Sequence, residues 1–306
     1  MKHHNYLSGT SHSLKMLDGI ASDYDRLKKF SEEKAFPKSP LSALNGGNKK
    51  AQEAFSMIGM RSDKRSSDLI GFLSYANQTG INYFRMILND GKSMQFTVEE
   101  KTYQTVGKFS SDWFYFDPWL AQLMTAISLR DNAAIQLLCK IPVADFQKAK
   151  PEFTDSFDIA LMPMIQGLFS AEANHVELIQ NMMAHTGPEN YTSMRAPYAT
   201  QVLMPMANLM VMALSNVDEA HYQQTWRKAL ESHIAYWTMD QELKNDYEGW
   251  VAFPIIAASV MMYDKKGYKL PADLTDDEKL YVPEWLVYGD FEPQPSVGVD
   301  FFEGEV

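Results

Sequence analysis

Residues 218–239, DEAHYQQTWRKALESHIAYWTM, decide how this chain folds. Tyr222, Trp226, Ala229, Leu230, His233 and Trp237 recur three or four positions apart. On a helix that spacing puts them on one face, with charged residues on the other. The same period appears on both sides of this segment. Val251–Tyr263 is a nearly continuous apolar helix, and Val202, Met206, Leu209 and Ala213 trace another. Earlier, Phe157, Leu161, Met164, Ile165 and Leu168 repeat the pattern, as do Leu120, Leu123, Met124 and Ile127 after Asp117-Pro118. There Asp117 is expected to cap the helix and Pro118 to take its first position, where the missing N–H is harmless. Leu69, Phe72, Leu73, Ala76, Gly80, Tyr83, Phe84 and Ile87 predict a helix over 67–89.

Strand signals are sparse. Met94–Val98, after Asn89-Asp90-Gly91, suits a short β-hairpin near 92–106, and a loop suits it about as well. A spacing of 42 residues recurs: Leu161-Met162-Pro163-Met164 is echoed by Leu203-Met204-Pro205-Met206, and Asn174-x-x-Glu177 by Asn216-x-x-Glu219. Each Asn-x-x-Glu reads as a helix start. The expected fold is all-α, an array of stacked, α-solenoid-like helical hairpins forming a single domain over 1–306. Residues 35–50, with two prolines and Gly46-Gly47, and the tail 293–306 are expected to be loosely ordered. Asn45-Gly46-Gly47-Asn48-Lys49-Lys50 reads as a flexible turn.

Composition agrees with a packed globule. The chain has 306 residues, 45% hydrophobic and 12% aromatic, and a chain of this size buries roughly 75% of its unfolded surface. Met1 to Leu17 has no apolar run of the secretory kind, and the longest apolar stretches fall short of a membrane span, so a cytoplasmic location is expected. The single cysteine, Cys139, fits a reducing compartment.

The net charge of −11 is uneven: residues 1–65 carry 12 Lys/Arg against 7 Asp/Glu, and residues 271–306 carry 10 Asp/Glu against one Lys. Acidity disfavours nucleic acid as a partner and steers a basic one. Asp273, Asp276, Asp277 and Glu278 are open to two readings, a solvated helix cap or a contact patch.

Catalytic signatures are absent from the sequence. It holds no His-Glu-x-x-His, no Gly-x-Ser-x-Gly and no phosphate-binding glycine loop, and the histidines have no ligand spacing. Cys139 reads as a buried structural thiol and His233 as a hydrogen-bonded core histidine. No catalytic residue, metal ligand or cofactor is expected.

The last third has a particular order: His233, Tyr236 and Trp237 close a helix, Gly249 precedes an apolar helix, and Tyr281-Val282-Pro283-Glu284-Trp285-Leu286 follows. This resembles the immunity protein 49 family of bacterial polymorphic toxin systems, mainly over 200–290 and more loosely over 112–140 through the Trp119 helix and the Arg130-Asp131 turn. Gly267 to Tyr281 is longer than in that pattern, and Pro254 enters the apolar helix. His233, Tyr236, Trp237, Gly249, Tyr281, Pro283 and Leu286 are its structural motif residues.

The resemblance implies an all-helical, non-catalytic protein that binds and neutralises a cognate toxin. A cytoplasmic immunity protein would oppose a nuclease or a nucleotide- or NAD-targeting enzyme. Asp273, Asp276, Asp277, Glu278 and Glu284, with Trp285 as anchor, are the expected contact residues. Two rivals stand beside this: a general helical-repeat scaffold, and a helical enzyme, which a deep pocket joining His233 or His221 to a carboxylate of shifted pKa would favour.

Overall fold

The computed structural model describes residues 11–60, 66–150, 152, 154–192 and 194–296. α1 (Ser11–Phe30) runs through a π-helical turn (Ser31–Ala35) towards α2 (Pro40–Ile58) and α3 (Ser66–Leu88). A hairpin, β1 (Ser93–Val98) and β2 (Lys101–Val106), precedes α4 (Phe116–Leu129), α5 (Asn132–Cys139), α6 (Val143–Ala149), α7 (Ser156–Gly167) and α8 (His175–Ala184). The turn α9 (Ala196–Tyr198) continues through a π-helical segment, Ala199–Leu203, into α10 (Met204–Met212). Then come α11 (Glu219–Trp237), α12 (Gln241–Asn245), a 3₁₀ turn (Tyr247–Gly249), α13 (Phe253–Lys266), α14 (Asp276–Tyr281) and α15 (Glu284–Tyr288). The architecture is mostly α with one antiparallel hairpin, in which Phe96 stands opposite Tyr103 and their rings stack at 5.1 Å.

α13 organises the core. Every residue from Pro254 to Met262 is buried, which removes any polar face, because the helix lies between α4 and α10. Pro254 is accommodated at the helix N-terminus, where no hydrogen bond is lost. Trp226 from α11 is fully buried and donates its indole N–H to Ser259 Oγ at 2.9 Å. Helices adjacent in sequence pair with one another, as α2 with α3, α7 with α8 and α10 with α11, while α13 joins elements remote in sequence.

The stretch 35–50 is largely helix, against the expectation of loose order. Pro40 sits in the first turn of α2, and a Cβ on Gly47 would lie 3.2 Å from Tyr75 Cε1 and 3.3 Å from Thr79 Cγ2. The glycine therefore lets α2 approach α3 closely, which outweighs its poor helix propensity. Of the tail, residues 297–306 lie outside the described residues; Ser296 donates to Asp131 Oδ1 at 2.6 Å.

Two further local expectations shift. Asn174 caps α8 as expected, accepting from the Glu177 N–H, but α11 is capped by Asp218 rather than by Asn216. α4 starts at Phe116, so Asp117 and Pro118 lie inside its first turn, and the carboxylate of Asp117 is engaged elsewhere. Pro163 sits within α7, whereas Pro205 follows the π-helical segment, where its missing N–H falls at the change of helical period.

Candidate functional site

Stretches far apart in sequence line one cleft of about 760 Å³. They include α2, α3, α4 with the segment before it, the turn leading into α10, the end of α11 with the 3₁₀ turn, and the start of α13. Aromatic rings, among them Trp113, Tyr115, Tyr198, Tyr236 and Tyr247, alternate along it with carboxylates.

Arg195 holds two of these stretches together. Its Nη1 and Nη2 each donate to Asp117 at 2.7 Å, and Nη2 also donates to Asp158 Oδ1 at 3.1 Å. Phe116 and Tyr198 flank the guanidinium, each ring centroid 5.7 Å away. Burial alone would lower the Arg195 pKa, but Asp117 and then Asp158 raise it above the usual arginine value. Asp158, wholly buried on α7, has its carboxyl pushed up to about 6 by desolvation, with Arg195 opposing the shift. Thr192 N donates to Asp155 Oδ2 at 3.2 Å, fixing the turn that presents Arg195.

Two charged groups lie across the cleft from one another. Lys49 places its ammonium 3.1 Å from the Trp113 ring centroid, and desolvation lowers its pKa. Glu248 lines the cleft and is exposed to solvent, with protein groups crowded around its carboxyl. Desolvation pushes its carboxyl up to about 7, Asp246 and Asp117 add to the rise, and Lys49 opposes it. Among the described residues no hydrogen bond or ion pair reaches that carboxylate; only its backbone N–H is engaged, donating to Asp246 Oδ1 at 3.0 Å.

A carboxyl whose pKa is raised in the folded state weakens folding once it ionises. The penalty is absent below the unfolded value near 4.5 and complete above about 7. Glu248→Gln is therefore expected to raise the melting temperature at pH 8 and to leave it unchanged at pH 4. An equal effect at both values, read by differential scanning calorimetry, would show that Glu248 is not strained by its surroundings.

Part of the motif of the last third belongs to this cleft. His233, Tyr236 and Trp237 all line it. His233 is buried, its Nε2 lies 3.1 Å from the Gly249 carbonyl oxygen, and its ring meets Tyr281 edge-on with centroids 6.1 Å apart. Trp237 lies flat against Gly249, where a Cβ would fall 2.4 Å from its ring carbons. The indole N–H of Trp237 has no partner among the described residues. Pro283 and Leu286 stand behind, around α15, where Arg130 donates to the carbonyls of Leu286 at 3.3 Å and Val287 at 2.7 Å.

The acidic residues of the C-terminal third lie elsewhere and are partly occupied. Asp273 pairs with Arg227. Glu278 is buried in a capping box with Thr275; desolvation raises its pKa, but hydrogen bonds from the Thr275 backbone and hydroxyl, with Arg227, bring it below the usual value. Glu284 pairs with Lys279 at 2.9 Å, and Trp285 packs against Phe55 and Phe291. Asp276 is exposed and Asp277 half-buried. Neither these six residues nor His221 line the cleft.

His233 and the raised carboxyl of Glu248 line the same cleft, the combination that the sequence reading tied to a helical enzyme, but His233 Nε2 lies 3.1 Å from the Gly249 carbonyl oxygen. The Cys139 thiol lies outside the cleft, pushed up to about 12 by burial. Among the described residues no group of His, Cys, Asp and Glu is placed to hold a metal ion, and no helix is long and apolar enough to cross a membrane. Lys49, Asp117, Arg195 and Glu248 were not singled out from sequence as binding residues. For Glu248 alone the sequence offers a local signal, Asp246-x-Glu248 directly before the motif glycine.

The model of a family described as immunity protein 49 matches residues 63–286. No curated protein and no solved structure matches the chain.

Proposed function

The chain belongs to the immunity protein 49 family, and on that footing we propose that it neutralises a cognate toxin by direct contact, using the aromatic and acidic cleft as its principal docking surface. The observation that carries this reading is the cleft itself: about 760 Å³ of space walled by rings and carboxylates. Rings of this kind supply buried contact area, and fixed carboxylates supply orientation. Met194, 91% exposed at the edge of the cleft, adds an adaptable apolar contact.

The toxin that fits is a nuclease or an enzyme acting on nucleotides or NAD. Such enzymes hold phosphates with cationic side chains, and those cations complement an acidic inhibitor. The protein then acts by occupation, with no turnover of its own. Asp273, Asp276 and Asp277 form a second acidic surface that draws the basic partner in over a longer range, while Glu278, Glu284 and Trp285 beside them are held by contacts within the fold.

Co-expression with the product of the adjacent gene tests the proposal. Restored growth together with a complex stable through purification is the expected result; catalytic turnover by this chain alone, without complex formation, would overturn it. Within that complex, reversing Asp273, Asp276 and Asp277 to lysine is expected to slow association about tenfold and flatten its salt dependence. Unchanged stopped-flow rates would remove that surface from the account.

A further inference from the structure

Resting on the reading that the toxin docks at this cleft, we propose that the cleft receives one cationic side chain of the toxin, an arginine or a lysine, seated against Glu248 and Asp246. The charges lining the cleft single out this guest. Its two cations are already engaged: Arg195 is held by Asp117 and Asp158, and Lys49 lies on the Trp113 ring. An anionic guest would therefore have to break existing pairs. The carboxylate of Glu248, by contrast, has no hydrogen-bonding partner among the described residues, and it stands next to a second acid, Asp246.

The surroundings favour a cation with an apolar stem. The Tyr247 and Tyr115 rings line the same space and can cover methylene groups or a planar guanidinium. Trp237 adds a buried indole N–H with no partner among the described residues, a polar group left for the guest's polar end to satisfy when the cleft adjusts to it. The toxin would thus contribute a projecting basic finger, and the immunity protein the socket.

Insertion carries a proton linkage. Glu248 faces Asp246 on its own turn, Asp117 from α4 and Lys49 from α2, with the phenols of Tyr115 and Tyr198 close by. Its carboxyl is pushed up to about 7 by its surroundings, and a cation bound beside it holds it ionised. Binding below pH 7 therefore expels a proton and weakens, by about tenfold between pH 8 and pH 6.

The probes are acetyl-arginine amide and acetyl-lysine amide, with neutral acetyl-citrulline amide as the isosteric control. Each is titrated into the full chain while the tryptophan indole N–H signals are followed by NMR. Saturable millimolar binding of either cation at pH 8 is expected, weakened about tenfold at pH 6 and at least about fivefold by Glu248→Gln, and with its pH dependence gone in that variant. Which of the two binds more tightly identifies the side chain. Equal binding of the citrulline amide, binding unaltered by E248Q, or no binding of either cation would overturn the inference. Toxin capture that is indifferent to E248Q would sink the cation socket and leave direct neutralisation standing. Binding of the cationic probes without toxin capture would do the reverse.

Discussion

Replacing Arg195 with methionine is expected to destabilise the protein by about 3–5 kcal/mol, the cost of leaving buried charge without its partner. One guanidinium serves two oxygens of Asp117 and one of Asp158, and the Asp158 side chain is wholly out of reach of solvent. Methionine keeps much of the volume and removes every one of those bonds. The Asp158 carboxyl, already pushed up to about 6, should rise further and take up a proton on folding. A raised carboxyl pKa weakens folding above its folded value and leaves it unaffected below its unfolded one. The loss should accordingly be greater at pH 8 than at pH 4. Urea unfolding at both values measures it, and adding Asp158→Asn to Arg195→Met should recover a large part. A loss below about 1 kcal/mol would mean that the two carboxylates find other partners.

The second large effect is expected at Gly249. A Cβ there would lie 2.4 Å from Cγ and Cδ2 of Trp237, a ring that is itself packed against Tyr198, Tyr236 and His233. A ring so held cannot step aside, so the backbone has to move. Gly249→Val should cost about 1–3 kcal/mol through overpacking and displace the adjoining Glu248. Toxin binding should then fall in a variant that retains its helical circular dichroism. Gly71→Ala is the control: nothing lies within 4 Å of a Cβ at that exposed helical position, so it should be neutral or gain up to about 1 kcal/mol. Similar losses at both glycines would point to a general sensitivity of the fold.

Much of the helical scaffold can be read from periodicity alone. The stripes from Leu69 to Ile87 and from Tyr222 to Trp237 form α3 and α11 close to their expected bounds. Reading fails where a distant partner overrides a local preference. Asp117 before Pro118 looks like a cap, but Arg195, 78 residues away, takes its carboxylate. Gly46-Gly47 looks like a turn, but close packing on Tyr75 makes the second glycine part of a helix. The motif residues His233, Trp237 and Gly249 were legible as a set, while their physical connection, an imidazole on a glycine carbonyl beneath an indole, was not. Asp246-x-Glu248 before Gly249 can be seen in the sequence, but the groups that raise the Glu248 carboxyl include Asp117, which is remote in the chain.

The cleft is drawn from residues near 50, 115, 195 and 245, and it closes over α13, which follows them all. A nascent chain thus has no socket until its final quarter has left the ribosome, and at roughly 5–20 residues per second a translating cell waits tens of seconds for each working copy. If the cleft is the docking surface, protection lags behind transcription by that interval.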